Sequence, residues 1–454
     1  MNTPNISQQL SLKEKIGYAL GDSASNFYWR IFDLFLFIFY TDIFGIPAAA
    51  VGTMFLVTRL IDALSDPLMG AVADRTNTRW GKFRPYLLLG IIPLVAAGIL
   101  TFTVPDLDSS GKLVWAYATY IFMMLAYTFI NVPYGALIGV ITSDSQQRTQ
   151  LTSFRFIGAF SGGTFVAYFA PKLVEWIGQG DQAFGWQVTM ILFGILAAVC
   201  FVISFLSTKE RIVPPPSQQS SVWQDIQDLG HNKPWLILFT LALVIMLTIS
   251  LRGSSGTFYF KYYVGREDLI ASFSMVYMIS LAIGAAITPL LTRFCDKKRL
   301  LLILMSAVAI LSALFYFIPR DSIALIYTVQ FLIGLCLGPK SPLVFSMYAD
   351  TADFGEWRNG RRATAMVFSA AAFSQKLGGA LAGATLGWVL ASLGYTPNET
   401  QADASEHGIV LLMTLIPALF AFLSVLIIKF YPLSESALES MQLELTQRRE
   451  QNSG

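Results

Sequence analysis

Residues 59–86 read RLIDALSDPLMGAVADRTNTRWGKFRPY, an apolar helix that carries Arg59, Asp62 and Asp66 and then gives way to a basic loop. Spacings of three and four residues put the three charges on one helical face. A charged side chain at mid-bilayer costs about 3 kcal/mol on insertion scales, so two carboxylates facing lipid are hard to sustain. They are expected to face a protein interior and to bind a cation there. The loop holds Arg75, Arg79, Lys82 and Arg84 and belongs on the cytoplasmic side by the positive-inside rule. An embedded acidic pair beside a cytoplasmic basic loop points to a cation-coupled transporter.

The bulk composition agrees. Of 454 residues, 54% are hydrophobic and only 13% charged, where soluble domains carry about 25% charged residues. Mean hydropathy is +0.57. This describes a polytopic membrane protein embedded in a lipid bilayer, not a soluble enzyme. A net charge of +2 implies no nucleic-acid or other polyanionic partner. Cys200, Cys295 and Cys336 lie far apart in or beside apolar segments, and His231 and His407 form no cluster with them. Neither a disulfide framework, a metal-ligand spacing nor a nucleophile–base pair is present. No cofactor is expected apart from a co-transported Na+ or H+. No A-x-A-like cleavage site follows the first apolar run, so that run is expected to be retained as a span.

A span needs roughly 20 predominantly apolar residues. Such runs fall at about 23–41, 48–72, 85–104, 114–140, 151–170 and 187–207, then at about 234–260, 270–292, 300–318, 322–346, 364–393 and 408–430. The expected architecture is all-α, with twelve transmembrane helices in two six-helix bundles. The bundles are residues 1–207 and 234–431. A cytoplasmic loop over 208–233, containing the helix-like VWQDIQDLG, separates them, and 432–454 form a solvated or amphipathic cytoplasmic tail. Orientation has its own signal. Loops after even-numbered spans hold fifteen basic residues: Arg75, Arg79, Lys82, Arg84, Arg148, Lys209, Arg211, Lys233, Arg293, Lys297, Lys298, Arg299, Arg358, Arg361 and Arg362. The opposite loops hold five: Lys112, Lys172, Lys261, Arg266 and Arg320. Both termini are therefore expected in the cytoplasm of a cell whose inner membrane holds the chain. Gly158, Gly162, Gly163, Gly378, Gly379 and Gly383 suit close helix packing, and Pro133, Pro339 and Pro342 are expected to break their helices.

Charges inside the spans mark the candidate site. One arginine cannot compensate Asp62 and Asp66 together, and the excess negative charge suits a sodium ion or proton, with Ser65 or Thr128 completing an oxygen shell. Asn26, Arg30 and Asp33 occupy the first span, where Arg30 and Asp33 either pair or line a polar cavity. The fourth carries Tyr127, Thr128, Asn131 and Tyr134, groups that hydrogen-bond a hydroxyl-rich ligand. Arg155 lies in the fifth, where it snorkels or reaches the ligand. Arg252, Lys340 and Lys376 lie in the seventh, tenth and eleventh. Lys376 has no carboxylate within a turn, which makes Asp62 or Asp66 its candidate partner. DTADFGEWRNGRR, from Asp350, offers Asp350, Asp353 and Glu356 to Arg358, Arg361 and Arg362 as a cytoplasmic salt-bridged gate, which Arg75 and Arg79 would join.

GYALGDSASN, YTDIFGIP, RLIDALSDPLMG, DRTNTRWGKFRPY, INVPYGAL and DTADFGEWRNGRR together resemble the glycoside–pentoside–hexuronide:cation symporters of the major facilitator superfamily, the family of melibiose permease. The resemblance covers nearly the whole chain. It implies the major facilitator fold and uptake of a sugar or glycoside coupled to sodium or a proton; a monomer is expected. It also implies that Asp62, Asp66 and Thr128 form the cation site, that Arg155 contacts sugar hydroxyls, and that Lys376 links the two sites. Two acidic sugar contacts of melibiose permease are Asn26 and Asn131 here, and two tryptophans are Gly135 and Ser341. Melibiose is therefore not the expected substrate. Arg252 and Asn131 are more like the xyloside and glucuronide branches.

A xyloside- or glucoside-type glycoside or short oligosaccharide is the first expectation. The alternative is a hexuronide, whose carboxylate would meet Arg30, Arg252 and Lys340. A lipid or lysolipid carrier would depend little on Asn131 or Arg155, and a non-transporting sensor lacks a soluble signalling domain.

Overall fold

The computed structural model describes residues 10–142, 145–211, 227, 229–359 and 364–433, and in the tail 437–438, 440–441, 443–445 and 447. Among them the regular structure is helical. An isolated bridge between Thr78 and Gly81 closes the basic loop. Most of VWQDIQDLG, and Arg361 and Arg362, lie outside the described residues.

In chain order the helices are α1 (Leu12–Ile31), α2 (Ala48–Arg75), α3 (Arg84–Leu89), α4 (Ile91–Thr101), α5 (Ser109–Ile141), α6 (Ser145–Gly178) and α7 (Gln182–Ser207). Then follow α8 (Lys233–Phe258), α9 (Ile270–Leu291), α10 (Lys297–Phe315), α11 (Ile323–Leu337), α12 (Lys340–Asn359), α13 (Thr364–Ser392), α14 (Asp403–Met413) and α15 (Leu415–Lys429). Side-chain caps start many of them. Ser11 accepts the Glu14 N–H, Asp108 that of Gly111, Asp181 that of Phe184, Asn232 that of Trp235 and Asp296 that of Arg299. Each satisfies an amide that the first helical turn leaves without a partner. Such caps explain why the first helix begins at Leu12 and not near residue 23: Ser11 opens it before the chain becomes apolar. Beyond Ile31, α1 continues through widened π turns at Phe32–Leu36 and Phe39–Ile43, and α8 does the same at Tyr259–Val264.

Among the described residues, nine helical stretches are long and apolar enough to cross a membrane. Three more, α1, α6 and α13, have 20, 34 and 29 residues but are too polar to qualify. Their interiors carry Asp22, Asn26 and Arg30; Arg155; and Gln375 and Lys376. Pro133 breaks nothing: α5 runs through it from Ser109 to Ile141. Pro339 does sit at a break, between α11 and α12.

The chain divides into two compact units, residues 1–217 with 268–275, and 218–267 with 276–454. In the first, α1 packs on α6 and α7, and α2 on α5. A buried aromatic cluster holds the π-turn end of α1, with Phe39 4.6 Å and Trp186 5.4 Å from Phe102 between ring centroids. The basic loop is anchored as well. The Glu210 carboxylate accepts the backbone N–H groups of Lys82, Phe83 and Arg84 at 2.7–2.9 Å, and Arg211 makes a two-pronged bond to Glu14 at 2.7 and 2.9 Å. In the second unit, α8 packs on α13 and α15, and α10 on α11 and α15.

The α1–α6 contact depends on missing side chains. A Cβ on Gly158 would fall 2.3 Å from the Ala19 carbonyl oxygen, whereas one on Gly379 in α13 would meet only the Ser250 hydroxyl at 3.6 Å. Backbone cannot step aside as a flexible side chain can, and overpacking costs about 1–3 kcal/mol. Gly158→Ala is therefore expected to lower stability by about that amount in thermal unfolding of the detergent-purified protein, with Gly379→Ala close to wild type; equal effects would contradict the α1–α6 approach.

Candidate functional site

In the first unit the polar groups converge from α1, α2, α5 and α6. On α2, Asp62 is 1% exposed and its Oδ2 lies 3.8 Å from Arg59 Nη1. The Thr128 hydroxyl, from α5, lies 2.9 Å from Asp62 Oδ1 and 3.0 Å from Asp66 Oδ1. Those distances sum to 5.9 Å, an upper bound on the separation of the two carboxylate oxygens. Two like charges about 6 Å apart at an effective dielectric near 20 repel by about 3 kcal/mol. A hydroxyl carries a single proton and donates fully to one carboxylate at a time. A hydroxyl within hydrogen-bonding reach of both carboxylates therefore forms a centre suited to a small hard cation or a proton. Ser65 turns the other way, donating to the Asp62 main-chain carbonyl at 3.0 Å.

The Arg59 guanidinium lies flat against Trp29 of α1, 4.2 Å from the ring centroid, and Trp29 is 5.7 Å from Tyr127. Above Trp29 on α1 runs a polar stripe at four-residue spacing. Buried Asp22 accepts from Arg155 Nε of α6 at 3.2 Å. Asn26 Nδ2 donates to the Asp22 carbonyl at 2.9 Å, and Arg30 pairs with Asp33 at 3.3 Å. On α5, Tyr134 donates to the Tyr18 carbonyl at 2.6 Å and lies beneath the Arg155 guanidinium at 5.3 Å. Half-buried Asn131 falls between Thr128 and Tyr134 along the same helix.

The second unit distributes its cations differently. Arg252 is fully buried. Its guanidinium donates to the Met413 carbonyl at 2.8 Å, to Ser312 Oγ at 3.3 Å and to Gln330 Oε1. The reason lies in α14 and α15. A helical Met413 carbonyl would accept from residue 417, which is Pro417 and has no N–H. The last helix pair parts at Thr414, whose φ of −122° and ψ of −81° are not helical, and Arg252 caps the carbonyl left over. The same network buries Arg252 within its own unit. Lys340 is 3% exposed and donates to Gln375 Oε1 at 3.1 Å. Lys376 is half-buried on α13.

Of the expected gate residues, Asp350 pairs with Lys297 at 2.8 Å, because α12 presents its buried face to the start of α10. Arg358 donates to the His231 carbonyl at 3.2 Å. Asp353 and Glu356 are half-buried on the next turns, Arg362 lies outside the described residues, and exposed Arg79 lies 5.1 Å from the Trp80 ring. Arg75 is exposed at the end of α2. Asp22, Trp29, Gln330 and Gln375 are participants the charge-by-charge reading overlooked. The spacing Asp22, Asn26, Arg30 was the available signal for the first.

A family model described as MFS/sugar transport protein matches residues 17–435. The chain belongs to that family. It is a sugar transporter of the major facilitator superfamily and not an enzyme. The inner membrane symporter YicJ of Escherichia coli (strain K12) is 38% identical over 443 residues, covering 97% of this chain and 96% of YicJ. The isoprimeverose transporter of Lactiplantibacillus pentosus is 34% identical, covering 92% and 88%. A glucuronide carrier protein homolog of E. coli (strain K12) is 32% identical, covering 98% and 97%. The fold is similar to a crystal structure of a D-xylose-proton symporter, with a TM-score of 0.61 over 90% of this chain and 97% of that one at 14% identity.

Within the family fold, the Arg252 clamp gives a double-mutant test. Arg252→Met leaves the Met413 carbonyl buried without its donor, a loss of about 1–3 kcal/mol. Pro417→Ala restores an N–H that can reach that carbonyl, so the Arg252→Met loss is expected to shrink by at least about 0.5 kcal/mol in the Pro417→Ala background. Thermal unfolding of the four proteins checks this, and strictly additive losses would contradict the clamp.

Proposed function

We propose that this chain is a cation-coupled symporter that imports a glycoside or short oligosaccharide of xyloside or glucoside type by alternating access. Both termini face the cytoplasm, and the coupling ion is Na+ or H+. The observation that carries the reading is the Thr128 hydroxyl within 3.0 Å of both Asp62 and Asp66. A monovalent cation or a proton at this centre relieves the repulsion between the two carboxylates. The charge arithmetic of the unit supports it. Its three described clusters set Arg30, Arg59 and Arg155 against Asp22, Asp33, Asp62 and Asp66, a formal excess of one negative charge that one monovalent cation cancels.

The sugar stripe lies along α1, α5 and α6, where Asn26, Asn131 and Arg155 offer amide and guanidinium groups to hydroxyls. Trp29 connects the two centres, since it shares α1 with the stripe and stacks on the arginine that faces Asp62. A change in cation occupancy that moves Arg59 therefore moves the floor of the stripe. Names of relatives fit this reading: one is an isoprimeverose transporter, and YicJ is an inner membrane symporter.

One co-transported charge is worth about 2.3 kcal/mol per 100 mV, or roughly fifty-fold accumulation. In proteoliposomes with Na+ and pH gradients imposed separately, Asp62→Asn and Asp66→Asn are each expected to abolish concentrative uptake of labelled isoprimeverose or a related glycoside while leaving binding measurable. Accumulation that persists in both single variants would overturn the cation-site assignment.

A further inference from the structure

We propose that Asp22 sets the charge of the sugar-binding stripe and thereby selects neutral glycosides over uronides. The inference rests on the sugar-symporter reading and narrows its substrate class.

Asp22 is buried on α1, and its carboxylate takes the Nε edge of Arg155 at 3.2 Å. That leaves Nη–H groups of a planar donor fork, beside the Tyr18 hydroxyl, for hydroxyl oxygens. The fork is held in place from below, because the Tyr134 ring under it is tied to the Tyr18 carbonyl at 2.6 Å and stacked on Tyr18 at 4.9 Å. Asn26 spends an amide N–H on the Asp22 carbonyl, so its Oδ1 is presented as an acceptor. Donors and acceptors thus stand side by side, which suits hydroxyls because they do both. A carboxylate only accepts, and it brings a negative charge towards the one on Asp22.

Among the described residues of this unit, the charges beside the stripe are already matched. Arg30 is matched by Asp33 at 3.3 Å. The neighbouring positions of α5 are Tyr127, Asn131 and Tyr134, and α7 brings the Ser204 hydroxyl close to Gly21. Arg252, the cation most suggestive of an acidic ligand, is enclosed by Ser312, Gln330 and the Met413 carbonyl. Removing the Asp22 carboxylate would release Arg155 as a charge-assisted donor for an anion.

The test measures uptake and competition by a panel of labelled xylosides, glucosides and their uronide counterparts at fixed pH and fixed cation gradient. Wild type is expected to favour the neutral member of each matched pair tenfold or more. Asp22→Asn should shift that ratio towards the uronide by at least tenfold, and Asp22→Glu should keep the neutral preference. A carboxylate that only supports the fold would lower uptake of both members equally and leave the ratio alone, which overturns the proposal. A uronide preference in wild type overturns it as well, and that reading needs no variant. Asp22→Ser provides a second neutral side chain if Asp22→Asn does not fold. Uptake of no panel member by wild type overturns the sugar reading itself and this inference with it, whereas uptake with an unchanged ratio overturns this inference alone.

Discussion

Charge held inside hydrocarbon must be matched by partners within a few ångströms, and the first unit is arranged around that requirement. The Thr128 hydroxyl placed between Asp62 and Asp66 is where the requirement is met most economically. Two carboxylates confined to within 6 Å favour any arrangement that adds a positive charge. Arg59 supplies part of it from one side and is itself steadied against Trp29. Around this centre the remaining charges come in near-neutral pairs, Asp22 with Arg155 and Arg30 with Asp33. Under the proposed symport, coupling needs no long-range pathway: the residues proposed for the cation lie on helices packed against those proposed for the sugar.

The two units solve the buried-cation problem by different means. In the first, guanidiniums face carboxylates and remain partly accessible, as a binding surface needs. In the second, Arg252 faces a carbonyl, a hydroxyl and an amide, all neutral. Its function is to repair a defect that Pro417 creates in the last helix pair. The same residue type is thus part of a candidate ligand site in one unit and of the scaffold in the other. Position in an apolar helix is identical for both, so only the identity of the acceptors separates them.

Polarity also explains which helices look least like spans. α1, α6 and α13 fall short of an apolar criterion because they carry Asp22, Asn26, Arg30, Arg155, Gln375 and Lys376. The cost of those residues is offset by close packing elsewhere on the same helices. Gly158 and Gly162 bring α6 against the backbone of α1, where an added Cβ would sit 2.3 and 2.9 Å from carbonyl oxygens. On α6 the small residues stand on the same face as the ionisable one, since Arg155, Gly158 and Gly162 are spaced three and four apart.

The sequence by itself determined the class of protein, its helical architecture and the acidic face of α2, because hydropathy and the three-and-four spacing of Arg59, Asp62 and Asp66 act within a single helix. It also offered Arg30–Asp33, a pair one turn apart, as one of two readings, and the structure shows the pair. Tertiary structure alone decided the partners drawn from distant helices: Thr128 for the two aspartates, Asp22 for Arg155, Lys297 for Asp350, and the Met413 carbonyl for Arg252. Each of these pairs joins residues more than fifty positions apart. Helical periodicity says which face a residue occupies, but it carries no information about which other helix that face will meet.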